Sequence, residues 1–97
     1  MKKNDLLQVK KWNYGNYSTD NYGAHSMALS LGDRTLYFSY ETLVAFSGYN
    51  SKGKHFYCIH KNEWGTTTGK HLNWIDNNKA IRVDENEFQK QLKEFLR

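Results

Sequence analysis

The stretch Asn62-Glu-Trp-Gly-Thr-Thr-Thr-Gly-Lys-His-Leu-Asn-Trp-Ile75 decides where this chain changes from strands to helices. Threonine hydroxyls ahead of an apolar run can cap a helix, so the stretch predicts a threonine-rich loop followed by a short helix at 70–75. Lys70 and His71 then lie in the first turns, where backbone N–H groups are unpaired. A helix start with hydroxyls and a cation can hold an anion, which would be a phosphate or a partner carboxylate.

Upstream of this stretch, the sequence predicts the strands of a small antiparallel sheet. Apolar residues alternate with polar ones, or form short apolar runs, at 6–14, 26–31, 35–38, 43–46 and 54–60. Gly32-Asp33-Arg34 separates two of these runs and predicts a hairpin. The segment 43–46 is interpreted as a strand or, together with Glu41 and Thr42, as one helical turn. Residues 15–23 are rich in Asn, Ser and Gly and predict a loop.

Downstream, the sequence predicts a brief edge strand at Ala80–Val83 and then a C-terminal helix. Asp84 is a good N-cap, and Glu87 three residues later completes a capping-box pattern. Phe88, Leu92 and either Phe95 or Leu96 repeat at helical spacing and predict its buried stripe. The expected fold is a single α+β domain over residues 1–97, with a small antiparallel sheet, a short helix after the threonine-rich loop and a C-terminal amphipathic helix.

The positive charge of the chain is concentrated in two segments. The net charge is +4, and residues 1–11 carry four lysines against one aspartate, giving +3. Residues 52–71 carry four lysines against Glu63, again giving +3. Such patches favour nucleic acid or an acidic protein surface as partner, although they also serve simply to keep a chain in solution.

Cellular location is predicted from cysteine usage and hydropathy. Cys58 is the only cysteine, which is typical of a protein of the reducing cytoplasm. The first residues are polar, and nowhere do about eighteen apolar residues run together, so neither a signal peptide nor a membrane span is predicted.

Candidate ligand and catalytic side chains are few. Cys58, His60 and His71 are zinc-ligand types, but a fourth ligand and a Cys-x-x-Cys pair are missing, so we predict no metal and no cofactor. His60 and His71 can instead be read as the acid and base of a metal-independent nuclease, with Lys61 or Lys70 holding the phosphate. This pattern is weakly specific, and we predict no catalytic residue.

The same region predicts a contact surface. Tryptophan with a lysine rim is typical of binding interfaces and of surfaces that stack bases. The predicted contact residues are Trp64, Thr66, Thr67, Thr68, Lys70 and His71, with help from Lys54, Lys61 and the N-terminal lysines. Alternatively, the threonine-rich segment is only structural, with hydroxyls that cap a helix and both Trp64 and Trp74 buried. A tyrosine-rich edge strand can also support a homodimer.

Two runs carry a family resemblance: Leu36-Tyr-Phe-Ser-Tyr-Glu-Thr-Leu-Val-Ala-Phe46 and Asn62-Glu-Trp-Gly-Thr-Thr-Thr-Gly-Lys-His-Leu-Asn73. Over residues 28–96 the chain resembles small, functionally uncharacterised proteins of bacteriophages and other mobile elements. The resemblance implies an accessory protein in the cytoplasm of a bacterial host, and by analogy an inhibitor of a host defence nucleoprotein, such as an anti-CRISPR protein. Abundant Lys, Asn and Tyr, which have AT-rich codons, agree with a low-GC bacterium or its phages. We therefore expect a non-enzymatic binding protein; the alternative is a nucleic-acid-binding protein, with nuclease action by His60 and His71 as one form of it.

Overall fold

Five antiparallel strands form one sheet, in the same order as in the sequence. The structure is a computed structural model that describes residues 9–14 and 26–97. Its elements are β1 (Val9–Asn13), β2 (Ser26–Leu31), β3 (Arg34–Ser39), β4 (Thr42–Tyr49), β5 (His55–Ile59), α1 (Thr66–Ile75), a 3-10 turn (Lys79–Ile81) and α2 (Glu85–Phe95). The predicted α+β fold, with a small antiparallel sheet and two helices, is confirmed. Residues 6–8 of the first predicted strand and the predicted loop at 15–23 lie outside the described residues.

Two tight turns connect β2 to β3 and β3 to β4. Leu31 pairs with Arg34 across Gly32 and Asp33, so the predicted hairpin is confirmed. Gly32 has a φ of 67°, the left-handed conformation that suits the first central position of such a turn. Tyr40 occupies the same position of the next turn with a φ of 57°, although it carries a side chain. The second turn therefore contains local backbone strain.

A bulge in β4 determines the path of residues 43–46. Tyr37 pairs with Ala45 but Phe38 pairs with Leu43, which leaves Val44 as an extra residue on β4. The predicted strand is confirmed as part of a longer strand, and the interpretation as a helical turn is wrong. The reason is that β3 and β5 pair with β4 from both sides and hold it extended.

The two helices pack on opposite faces of the sheet. Consecutive residues of a regular strand point to opposite faces. Phe46 packs in one hydrophobic cluster with Phe88 of α2, whereas its neighbour Ala45 packs in the other with Leu72 of α1. The buried members are Phe46, Phe56, Cys58, Phe88 and Phe95 in the first cluster, and Val44, Ala45, Ile59 and Leu72 in the second. The sheet is therefore the middle of three layers.

One predicted helix start and one predicted strand are wrong. Helix α1 begins at Thr66 and not at Lys70, because Gly65 occupies the N-cap and the three threonines form the first turn. Residues 80–83 do not form an edge strand, because the side chain of Asn78 accepts a 3.1 Å hydrogen bond from the N–H of Ala80 and winds the chain into a 3-10 turn. In the described part of the chain, this segment pairs with the sheet only through an isolated parallel bridge between Val83 and His60, and Val83 also packs against the first hydrophobic cluster.

The C-terminal helix follows its sequence signals closely. Asp84 Oδ1 accepts a 2.9 Å hydrogen bond from the N–H of Glu87, so the predicted N-cap is confirmed. Phe88 and Phe95 are buried, and Leu92 packs against them. Of the two predicted candidates for the last residue of the buried stripe, Phe95 is buried and Leu96 is 59% exposed, so the stripe ends at Phe95. None of the helices that the structure describes is long and apolar enough to cross a membrane.

Candidate functional site

The buried side of α1 holds two of the predicted contact residues. Thr68 and His71 are 7% and 0% exposed, and both lie against Ser39 at the end of β3. Ser39 Oγ is 2.8 Å from Thr68 Oγ1 and 2.7 Å from His71 Nδ1. These two side chains dock the helix on the sheet. The sequence places them on the contact surface, whereas the structure places them on the buried side of α1, where a serine of β3 covers them.

The exposed start of α1 borders a small cleft. Trp64 is 45% exposed, and Thr66 is exposed as well. The cleft has a volume of about 320 Å³ and is lined by Ser39, Tyr40, Thr42, Trp64, Gly65, Thr66, Thr67 and Thr68. The interpretation of Trp64 and Trp74 as buried is wrong, because Trp74 is also 48% exposed.

Asn62 shapes the loop that leads into α1. Its Oδ1 accepts hydrogen bonds from the N–H groups of Trp64 (3.0 Å) and Gly65 (3.3 Å), and its Nδ2 donates to the Gly65 carbonyl (3.0 Å). A Cβ on Gly69 would lie only 2.9 Å from that Nδ2. A glycine at position 69 therefore leaves room for the Asn62 carboxamide between loop and helix.

A cationic cleft lies beside this loop, which we call the Arg82 cleft. It has a volume of about 340 Å³ and is lined by Lys61, Asn62, Gly69, Asn73, Lys79 and Arg82. Its lining contains three cations and no carboxylate. Within the described residues, no carboxylate oxygen lies within 4.0 Å of Lys61 or Lys79. The charged side chains that line the cleft are therefore all positive.

Arg82 forms the floor of this cleft and is only 9% exposed. Its Nη2 donates to Asn73 Oδ1 (2.9 Å) and to the Asp76 carbonyl (3.2 Å), which clamps the segment after the 3-10 turn onto α1. Its Nε is buried without a hydrogen-bond partner in the described structure. Burial lowers the pKa of Arg82 from its usual range, although the group stays charged at neutral pH.

A second cleft, the Trp74 cleft, continues the first. It has a volume of about 590 Å³ and is lined by Lys70, Asn73, Trp74, Asn77 and Lys79. Because Asn73 and Lys79 line both, the two clefts form one surface, which we call the cationic groove. Four cations line it, namely Lys61, Lys70, Lys79 and Arg82, and neither lining contains an acidic residue.

The carboxylate that acts electrostatically on Arg82 is that of Asp76, and it is already engaged. Tyr57 donates a 2.6 Å hydrogen bond to Asp76 Oδ2, and the N–H of Asn78 donates a 2.9 Å hydrogen bond to Oδ1. The hydrogen bond from Tyr57 lowers the pKa of Asp76. Loss of hydration on partial burial, together with the neighbouring Asp76, raises the pKa of Tyr57 to about 12.

The histidines of the alternative nuclease reading lie inside the molecule and in different surroundings. His60 is 1% exposed between the rings of Trp64 (4.8 Å between centroids) and Phe88 (4.9 Å). Its Nδ1 lies 2.7 Å from the carbonyl oxygen of Lys61, and Nε2 is 3.5 Å from the Glu85 carboxylate. His71 is bonded to Ser39 under α1. Neither ring is open to a phosphodiester.

The remaining ligand types give no metal centre in the part of the chain described. No group of three or more His, Cys, Asp and Glu residues is arranged there to hold an ion. Cys58 is buried in the sheet, and burial together with the nearby Glu87 raises the pKa of its thiol to about 11. The thiol is therefore a core side chain that stays protonated at neutral pH.

The predicted lysines divide between two surfaces. Lys61 and Lys70 line the cationic groove, but Lys54 is paired with Glu94 of α2 at 2.8 Å, away from it. Of the N-terminal lysines, Lys10 and Lys11 are exposed on β1, and 2–3 lie outside the described residues.

The contact residues predicted from the sequence do not include seven that line the groove: Asn62, Gly69, Asn73, Trp74, Asn77, Lys79 and Arg82. Leu72 and Ile75 close to Trp74 favour a core position for this tryptophan, and Arg82 lies in the segment that the sequence predicts as an edge strand. The sequence does contain a signal for Lys79 and Arg82. These two cations lie between the helices, where the negative charge is low, because four of the five acidic residues after position 71 lie at 84 or beyond.

The chain belongs to a family of unknown function (DUF8033), whose model matches residues 8–91. No curated protein and no solved structure matches it.

Proposed function

We propose that this DUF8033 protein is a non-enzymatic binding protein that docks through its cationic groove on a host nucleoprotein in the bacterial cytoplasm. We further propose that it inhibits a defence nucleoprotein, in the manner of an anti-CRISPR protein. The observation that carries the proposal is the groove itself, in which four cations line two adjoining clefts without an acidic residue.

An anionic partner is favoured by the electrostatics of the groove. Like charges held together at a surface are stabilised when a partner of opposite sign approaches, and they also steer its approach. Lys61 and Lys79 make no ion pair with the described residues, so their charges are available to a partner.

The exposed tryptophans favour docking of a macromolecule. Trp74 lines the groove, and Trp64 flanks the start of the same helix, each with nearly half of its surface exposed. Tryptophan and arginine are both enriched among the energetic hot spots of interfaces. Lysines around such anchors on this chain suit a partner whose surface is rich in carboxylates or phosphates.

The choice of a defence nucleoprotein is supported by the resemblance to proteins of phages and mobile elements. A binding role rather than nuclease action is supported by the burial of His60 and His71. The second candidate function is direct binding of nucleic acid without a protein target. It is favoured by Trp74 beside Lys70 and Lys79, since bases stack on aromatic rings while lysines contact phosphates.

The experiment is capture of the tagged protein's partners from a lysate of a low-GC bacterium that carries CRISPR systems, with and without nuclease treatment. The proposal predicts recovery of a specific nucleoprotein whose protein subunits remain bound after nuclease treatment. Recovery of nucleic acid alone, lost on nuclease treatment, would instead establish the second candidate. A gain in plaque formation by a CRISPR-targeted phage in cells that express the protein tests the inhibitory role.

A further inference from the structure

The Arg82 cleft brings hydrogen-bond donors together from three segments of the chain. Lys61 and Asn62 come from the loop before α1, Asn73 from α1, and Lys79 and Arg82 from the connection to α2. No carboxylate of the lining competes for these donors. A site of this composition selects an anion with several acceptor atoms.

The buried guanidinium is the strongest indication of a ligand. Burying a charged group is unfavourable unless it is paired. Arg82 uses Nη2 for two hydrogen bonds, but its Nε has no acceptor and its charge has no ion pair within 4.0 Å in the described structure. Asp76, which acts on it electrostatically, accepts from Tyr57 and Asn78 instead. An anion in the cleft would offset a positive charge that Asp76 compensates only from a distance.

We infer that the Arg82 cleft binds a phosphate group, with Lys61 and Lys79 as cations at its rim and Arg82 at its floor. A phosphate presents oxygens in several directions, which matches donors that converge from three segments better than the planar carboxylate does. The cleft volume of about 340 Å³ exceeds that of one phosphate, so the group can enter as part of a larger molecule.

The adjoining Trp74 cleft indicates what that larger molecule is. Asn73 and Lys79 border both clefts, so a group attached to the bound phosphate extends toward Trp74. An exposed indole ring is a stacking surface for a base. The geometry therefore points to a nucleic-acid strand, with its phosphate in the Arg82 cleft and its base on Trp74. The choice of nucleic acid as the source of the phosphate rests on the proposed function. It identifies a nucleic-acid strand as the part of the nucleoprotein that the groove contacts.

The test is an NMR titration of the ¹⁵N-labelled chain with inorganic phosphate, compared with chloride at equal ionic strength. We expect saturable shifts of the amides of Asn62, Gly69 and Lys79. Arg82 also clamps α1, so the informative variant is Lys79→Ala, which removes an exposed side chain. Lys79→Ala should weaken phosphate binding about tenfold, as for one charge-assisted contact. Lys90→Ala with Lys93→Ala removes two charges from α2 on the other face of the sheet, and it should leave the affinity unchanged.

Absence of saturable shifts, or equal weakening by both variants, would overturn the site. A short single-stranded oligonucleotide and its uncharged methylphosphonate analogue then distinguish the source of the phosphate. Tighter binding of the charged strand than of phosphate, with loss of binding for the analogue and quenching of Trp74 fluorescence, supports a strand. Binding of the strand no tighter than phosphate keeps the site but overturns its assignment to nucleic acid. Phosphate binding without any captured nucleoprotein would contradict the proposed function alone.

Discussion

Ser39 Oγ lies 2.7 Å from Nδ1 of His71, and this buried hydrogen bond joins the end of β3 to the middle of α1. The same Oγ lies 2.8 Å from the hydroxyl of Thr68. One serine thus anchors the helix that carries Lys70, Asn73 and Trp74 on its outer side. The position of the cationic groove therefore depends on a polar contact with the sheet.

Ser39→Ala should lower the free energy of unfolding by about 1–3 kcal/mol, because Thr68 and His71 each lose a buried hydrogen bond to the serine hydroxyl. Urea denaturation followed by circular dichroism measures it. Ser47→Ala is the matched control, since Ser47 lies on the adjacent strand and makes no side-chain hydrogen bond with the described residues. Equal losses for the two variants would show that the Ser39 contact does not anchor α1.

Trp64→Ala should lower the free energy of unfolding by about 1 kcal/mol while the fold is retained, because the indole ring packs on the buried ring of His60. Trp64→Phe keeps a ring over His60 and should recover most of the loss. Thermal unfolding of the three proteins distinguishes this packing from a purely surface role, which would leave all three melting temperatures equal. The same alanine variant is expected to weaken partner binding.

Tyr57→Phe should change how stability depends on pH. The folded-state pKa of Tyr57, about 12, exceeds the ordinary value of 10.0, so its contribution is fully present below pH 10 and is lost as the pH rises toward 12. The wild type should therefore lose stability relative to Tyr57→Phe across that interval in urea titrations. In the variant, the pKa of Asp76 should rise toward its ordinary value, because its largest stabilising contact is gone. An unchanged Asp76 titration by carboxyl NMR would rule out the 2.6 Å hydrogen bond in solution.

Gly69→Ala should act differently in two backgrounds. In a helix interior alanine is more favourable than glycine by about 1 kcal/mol, but the Cβ of an alanine at position 69 would lie 2.9 Å from Asn62 Nδ2. In the wild-type background, displacement of the Asn62 carboxamide by the new Cβ should cancel this gain in stability. In an Asn62→Ala background, Gly69→Ala should stabilise the fold by about 1 kcal/mol. A double-mutant cycle by urea denaturation measures the coupling, and additive effects would contradict the close packing of loop and helix.

Local signals predicted much of the fold. The Gly32-Asp33 hairpin and the Asp84 cap were predictable because a turn or a cap is specified by a few adjacent residues. The start of α1 was predicted four residues late, since Gly65 caps it without a side chain and Asn62 holds the preceding loop.

Long-range contacts account for what the sequence did not predict at the site. Thr68 and His71 are buried because Ser39, about thirty residues earlier in the chain, packs over them. The cationic groove is assembled because Arg82 reaches back to Asn73, which places Lys79 beside Lys61. Neither contact has a signature in the spacing of residues along the chain.

The central claim is that the cationic groove is the docking surface, and charge reversal tests it most directly. The double variant Lys61→Glu with Lys79→Glu places two negative charges in the groove, and Lys90→Glu with Lys93→Glu makes the same change in net charge on the opposite face of the sheet. Capture of the nucleoprotein from untreated host lysate is quantified for both variants and the wild type, each shown to be folded by circular dichroism. We predict that the groove variant loses the nucleoprotein while the control retains it. Retention by the groove variant, or equal loss by both, would contradict the account.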